Sequence, residues 1–308
     1  MQALVHDPES PSSLRRAEVP DPLPGPHEAL IAVAAAAFNF LDLAYADAMH
    51  GVGGVPGEDA AGVVVEAAAD GSGPPAGTRV ASFAMGGALA GRRAVATADL
   101  GVVPDGVDLV VAAALPAAGV TALRAVRRLG TVLGRRVLVT GASGGVGRFA
   151  VQLAALAGAH VVAHVGSAPR GAGLRELGAA EVITDLDGVA PVRGVVENVG
   201  GPLLTAAVTL LAEGGVALSV GQASGQPSTI DFEAERRRGG HRAIEVFTVD
   251  TGYAGFGGDI EELLGLVAAG RLDPQIGWRG SWDRAVEAAE ALRARKVAGK
   301  AVVEIGTV

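Results

Sequence analysis

Short apolar runs alternate with small and turn-forming residues over the first third of the chain, as in "EALIAVAAAAF", "AAGVVVEAA", "GTRVASFA" and "RRAVATAD". Clusters such as "PDPLPGP" and "DGSGPPAG" separate them. The pattern predicts short strands closed by turns, as in a barrel or sandwich. From "VDLVVAAALPAAGVTALRAVRRLG" onward the apolar period lengthens to that of a helix, and strands then alternate with helices. Strands are expected at Val137–Thr140, His160–Val165, Glu181–Ile183, Val195–Val199 and Gly215–Val220. Helices are expected at Gly147–Ala157, around Leu174–Leu177 and at Leu203–Leu211. Such alternation makes an α/β domain, a doubly wound parallel sheet with helices on both faces. Two more helical stretches, "IEELLGLVAAG" and "WDRAVEAAEALRARK", precede a last strand, "GKAVVEI". That strand has no neighbour in its own part of the chain and is expected to return to the first domain.

Composition narrows the class. A length of 308 residues suits two domains, and 49% hydrophobic against 19% charged residues suits packed cores rather than disorder. The net charge of -8 argues against a general nucleic-acid binder, and the one dense basic run, Arg236–Arg238, reads as a solvated helix end or loop. The absence of cysteine excludes disulfides, thiolate zinc sites and a cysteine nucleophile. "MQALVHDPES" lacks a basic segment followed by an apolar one, and "ALIAVAAAAFNFL" is too short to cross a bilayer, so a cytoplasmic protein is expected.

The densest chemical signal is "VLVTGASGGVG". Gly141, Gly144 and Gly147 follow a predicted strand and open an amphipathic helix. The turn Gly141, Ser143, Gly144, Gly145, Val146 and Gly147 is where a pyrophosphate would meet backbone N–H groups and a helix N-terminus. Any one of these glycines alone would be explained by a tight turn. The following strand "HVVAHV" completes a βαβ unit and turns the signal into a dinucleotide site. A site for the unphosphorylated cofactor places Asp or Glu roughly 20 residues beyond the turn. No carboxylate lies between His160 and Arg170, where "HVGSAPR" offers Ser167 and Arg170 instead. Hydroxyl and guanidinium suit a 2′-phosphate, so NADPH is expected, against the alternative that Arg170 is an ordinary surface arginine.

"FNFLD", "GEDAAGVV", "GTRVASF", "LPAAGVTALRAV", "VLVTGASGGVGRFAVQLA", "ELGAAEVI", "ENVGG" and "GKAVVEI" occur in one order along nearly the whole chain. In this the chain resembles the medium-chain dehydrogenases/reductases, in their zinc-independent quinone oxidoreductase and enoyl reductase branch. The resemblance implies a GroES-like β-barrel domain from residues 1–110, a Rossmann domain over 111–249, and a return to the first domain over 250–308. It also implies an active site in the cleft between the domains, a homodimer, and a small-molecule substrate. The zinc enzymes of the family carry a His-Glu pair where this chain has Glu58 and Asp59, and carboxylates without histidine or thiolate make a poor zinc trap. No metal is therefore expected.

By the same resemblance Asn39 bonds the substrate or nicotinamide ribose, while Asp42 either braces the loop or caps a helix starting at Leu43. Tyr45 is a candidate cleft residue. Thr121 stands where the family meets the nicotinamide, though a buried threonine at a helix start would look identical. Asn198, in "ENVGG", joins the cofactor residues. An ungapped alignment on "FNFLD" puts His50 where enoyl reductases carry a tyrosine, so His50 is a candidate proton donor, against the reading of "AMHGVGG" as an exposed mobile loop. Three functions follow: an NADPH-dependent reductase of quinones or α,β-unsaturated carbonyls, a natural-product tailoring enzyme with an altered redox step, and a cofactor-bound protein without turnover.

Overall fold

The computed structural model describes residues 1–249, 252 and 254–306. The chain divides into two compact units, Met1–Val120 with Gly252–Val308, and Thr121–Thr251. The chain opens with β1 (Gln2–His6), β2 (Leu14–Glu18), β3 (Glu28–Phe38), α1 (Phe40–Ala44), α2 (Ala46–His50), β4 (Asp59–Glu66), β5 (Arg79–Phe83), β6 (Arg92–Ala96) and β7 (Leu100–Val102). Helices α3 (Leu109–Ala113) and α4 (Pro116–Arg128) follow. Next come β8 (Arg136–Val139), α5 (Gly145–Leu156), β9 (His160–His164), β10 (Ala179–Ile183), β11 (Val192–Glu197), α6 (Gly201–Thr209), β12 (Leu211–Ser219), α7 (Phe232–Arg238) and β13 (Ala243–Val246). The last segment holds α8 (Gly257–Ala268), β14 (Ile276–Ser281), α9 (Ala285–Arg293) and β15 (Lys300–Glu304).

In the first unit β3 is the organising strand. Its alanines leave room for neighbours, and β4, β6 and β15 all pair with it antiparallel. β15 lies against the end of β3, with Ala301 opposite Phe38, which is the return expected of "GKAVVEI". One apolar cluster gathers Leu4, Phe38, Leu89, Trp282 and Val303, and another gathers Ile31, Val64, Val80, Val95 and Leu100. This register brings the ends of β3, β4 and β15 together, and that junction carries the charged residues described below.

The second unit is a six-stranded sheet in the order β10-β9-β8-β11-β12-β13, with every pairing parallel. Counted within the unit this is 3-2-1-4-5-6, the dinucleotide-binding order, with its switch point between β8 and β11. The helix expected around Leu174–Leu177 does not form. A 3-10 turn at Ala168–Gly171 and further turns replace it, because Gly173 and Gly178 take φ of 77° and 103°, outside the helical region. No helix among the described residues is long and apolar enough to cross a membrane.

Candidate active site

The glycine turn of the second unit is built for close backbone approach. Gly141 has φ 57°, which carries the chain out of β8, and Ala142 N–H donates to His164 O at 3.0 Å, tying the turn to the end of β9. A Cβ on Gly147 would sit 2.3 Å from Gly141 O and 2.7 Å from Ala142 Cα. Only glycine lets α5 start so near the strand. Gly144, Gly145 and Val146 are half-exposed at the mouth of α5, while Ser143 is buried. The first N–H groups of α5 have no intrahelical acceptor and are free for a phosphate.

Asn198 joins this turn from the neighbouring strand. Its Nδ2 donates to Thr140 O at 2.8 Å and its backbone N–H to Thr140 Oγ1 at 3.0 Å. Thr140 Oγ1 donates in turn to Glu197, whose carboxylate also accepts the N–H groups of Val199 and Gly200. Glu197 therefore fixes the ends of β8 and β11 together. Burial raises its carboxyl pKa above the usual range, and these hydrogen bonds oppose that. Ser167 is exposed just past β9, and the Arg170 guanidinium reaches back over Gly166, its Nη1 4.0 Å from where a Cβ there would lie. Neither side chain donates to a described residue. No carboxylate lies between His160 and Arg170 along the sequence.

In the first unit a charged cluster lies buried where β3, β4 and β15 converge. Asp42, Glu58, Asp59, Arg93 and Lys300 are 1%, 3%, 0%, 2% and 2% exposed. Asp59 is fully satisfied. Its Oδ1 accepts Ala117 N–H at 2.7 Å, and its Oδ2 accepts Lys300 Nζ and Asn39 Nδ2, both at 3.0 Å. Lys300 Nζ also donates to Asn39 Oδ1 at 2.5 Å. Arg93 donates to Ser82 Oγ and to the carbonyls of Ala84 and Gly86. The helix α1 starts at Phe40 with Asn39 as its cap, so Asp42 does not cap a helix beginning at Leu43. It stands one turn inside and reaches back, Oδ2 accepting Asn39 N–H at 2.7 Å, which is the bracing role.

Burial dominates the electrostatics of this cluster. It pushes the Asp42 carboxyl up to about 7, opposed by the Asn39 N–H and reinforced by Asp59. Burial, with Asp42 and Asp59 adding to it, pushes Glu58 up to about 8. Arg93 is lowered to about 10 by its own burial and stays charged.

Among the described residues no hydrogen bond joins the remaining candidates to these charged side chains. Tyr45 is 45% exposed at the end of α1, edge-on to Phe40 with ring centroids 6.5 Å apart. His50 ends α2, its ring packed against Gly86 and its Nε2 buried without a partner among the described residues. Burial and then His6 hold its imidazole below the usual range. Thr121 is half-buried on α4. The charge of the junction was missed because Lys300 and Arg93 look like strand-edge residues. Their signal is position: each stands beside an apolar strand core, and Lys300 is one of two lysines in the chain.

Residues 25–116 match the alcohol dehydrogenase GroES-like domain family and residues 177–303 the zinc-binding dehydrogenase family. The quinone oxidoreductase of Pseudomonas aeruginosa is 28% identical over 303 residues, covering 91% of this chain and 92% of that protein. The solved quinone oxidoreductase from Coxiella burnetii superposes with a TM-score of 0.85 at 26% identity, over 99% of each chain. The chain belongs to the medium-chain dehydrogenases/reductases, in the quinone oxidoreductase branch. A further relative is the erythronolide synthase EryA2 of Saccharopolyspora erythraea, 34% identical over 273 residues. That match takes in 82% of this chain and only 7% of the synthase.

Zinc does not fit the residues that this member of the superfamily offers. Both Asp59 oxygens are filled by protein donors, the Lys300 ammonium already supplies the cation, and the chain has no cysteine. A nicotinamide cofactor does fit, at the glycine turn that a Cβ on Gly147 would close.

Proposed function

We propose that the protein is an NADPH-dependent, zinc-independent reductase of quinones or α,β-unsaturated carbonyl compounds, working by hydride transfer. The observation that carries the cofactor choice is the segment after β9, where the Ser167 and Arg170 side chains bond to no described residue and no carboxylate lies between His160 and Arg170. Gly141, Ser143, Gly144, Gly145, Val146 and Gly147 hold the pyrophosphate, Thr121 stands toward the nicotinamide, and Asn198 is a further cofactor residue. When bound, NADPH supplies the hydride. The quinone oxidoreductases among the relatives support the acceptor class. The match to a stretch of a biosynthetic synthase supports a second reading, in which the enone is a natural-product intermediate. We also read the protein as a cytoplasmic homodimer. The test is a fluorescence titration of NADPH and NADH at fixed salt, followed by cofactor oxidation against a panel of quinones and enones. Equal affinity for the two cofactors would overturn the NADPH reading, and inertness toward the whole panel would overturn the reductase reading.

A further inference from the structure

The parallel strands of the second unit run in one direction, so the glycine turn lies at one edge of the sheet and the strand starts at the other. Arg136, at the start of β8, stands roughly 13 Å of strand away from Thr140 at the turn. Near Arg193, at the start of β11, the ladder breaks. Val192 pairs with Leu211 and Gly194 with Val216, so Ala212, Glu213, Gly214 and Gly215 bow out of β12 opposite Arg193. Glycine permits this bulge: Gly214 takes φ 71°, and a Cβ on Gly215 would lie 2.8 Å from Ala212 O. The bulge borders a cavity of about 350 Å³ whose lining includes Arg135, Arg136, Pro191, Arg193 and Glu213. Arg136 is paired, its Nη1 donating to Glu181 at 2.6 Å. The Arg193 side chain makes no hydrogen bond or ion pair to a described residue, and its Nη1 is buried without an acceptor. The Arg135 side chain likewise bonds to no described residue. Arg238 Nη2 and Arg242 Nε both donate to Leu211 O, at 3.0 and 2.8 Å, which adds positive charge at the start of β12. A carboxyl so placed would take up a proton, whereas a guanidinium keeps its charge at neutral pH and is left with donors to satisfy.

We propose that this cavity binds a phosphoryl group, that of a small phosphate monoester or of free phosphate, with Arg193 as its principal donor. A guanidinium presents its N–H groups in a planar fork that meets two phosphate oxygens at once. Nη1 is the one nitrogen of Arg193 that is buried without a partner, so the rest of the fork is open to a ligand. Arg135 and Arg136 line the same cavity and supply further positive charge, in a chain whose net charge is -8. Small-molecule pockets run from roughly 300 to 1,000 Å³, so a cavity of about 350 Å³ suits an anion with a short organic group and is too small for a dinucleotide. Glu213 is the carboxylate of the lining, and its charge opposes the anion. The site is distinct from the glycine turn, since it occupies the opposite edge of the sheet, and it does not depend on what the protein reduces.

The test is calorimetric titration of the full-length protein with inorganic phosphate and with glycerol 1-phosphate, at an ionic strength held constant with sodium chloride. Saturable binding is expected, and Arg193→Met weakens it about tenfold or more, as loss of a hydrogen bond to a charged group does. Arg193→Lys, which keeps the charge and loses the fork, falls between the two. Phosphate held at the glycine turn is insensitive to Arg193→Met, so the component that depends on Arg193 reports this cavity. Arg170→Ala, at the other edge of the sheet, leaves that component unchanged. Glu213→Gln binds both probes a few-fold more tightly, and this exposed position keeps the test decisive where Arg193→Met does not fold. Tighter binding of glycerol 1-phosphate assigns the cavity to an organic phosphate, and equal binding assigns it to the free ion. Identical titrations of wild type and Arg193→Met would overturn the proposal, as would binding lost in Arg170→Ala and kept in Arg193→Met. Affinity unmoved by Glu213→Gln would overturn it as well.

Discussion

Lys300 Nζ lies 3.0 Å from Asp59 Oδ2, the two side chains being 2% and 0% exposed. This pair joins the last strand of the chain to β4, across 241 positions of sequence. Breaking such a pair on one side strands a buried charge, here beside two further acids. Lys300→Met is therefore expected to lower stability by about 3–5 kcal/mol, read from urea unfolding at pH 7. Loss below about 1 kcal/mol would mean that Asp59 finds another donor.

Glu58 and Asp42 make stability depend on pH in a defined direction. The native state holds protons that the unfolded chain has released above the ordinary carboxylate values of 4.5 and 3.8. Stability is thus fully present below those values and is lost as pH rises toward about 7 and about 8. The slope is at most about 1.4 kcal/mol per pH unit for each proton. Glu58→Gln should flatten the profile and be more stable than wild type at pH 8.5, as measured by unfolding across a pH series.

Arg170 decides between cofactors if it meets the 2′-phosphate. Removing a charge-assisted hydrogen bond costs about 1.5–3 kcal/mol, so Arg170→Ala should weaken NADPH about tenfold or more and leave NADH nearly unchanged. Parallel losses for both cofactors would return Arg170 to the ordinary surface.

Gly147 is expected to be intolerant of a side chain. The Cβ of Gly147→Ala would meet backbone on both sides, at Gly141 O and Ala142 Cα, and α5 has to shift. A loss of about 1–3 kcal/mol and a collapse of dinucleotide binding should follow. Gly258→Ala, in α8 with nothing within 4 Å, is the control and should gain about 0.5–1 kcal/mol.

Chelators should leave turnover unchanged, and elemental analysis should find no stoichiometric zinc. The reason is that Asp59 spends both oxygens on Ala117, Asn39 and Lys300. One zinc per chain would contradict the donor assignment.

Much of the molecule was legible in one dimension, because periodicity and glycine spacing are local properties. The strand, glycine turn and helix from Val137 to Leu156 follow from an apolar run and from glycines whose φ and missing Cβ the turn requires. The same reading put a helix around Leu174, where Leu174 and Leu177 kept the right spacing but Gly173 and Gly178 bent the backbone away. Asn39 and Asp42 were named from the resemblance of "FNFLD" to a family motif, and the structure showed Asn39 capping α1 with its N–H donated to Asp42. The sequence by itself therefore determined the class of fold, the glycine turn and the absence of thiol chemistry. Tertiary structure alone decided the charge state of the first unit. Lys300, Asp59, Glu58 and Arg93 meet only because β15 returns to β3 and β4 lies beside it. Whether a carboxyl keeps its proton depends on burial and on charges brought from distant strands, and neither is written in the spacing of "GEDAAG".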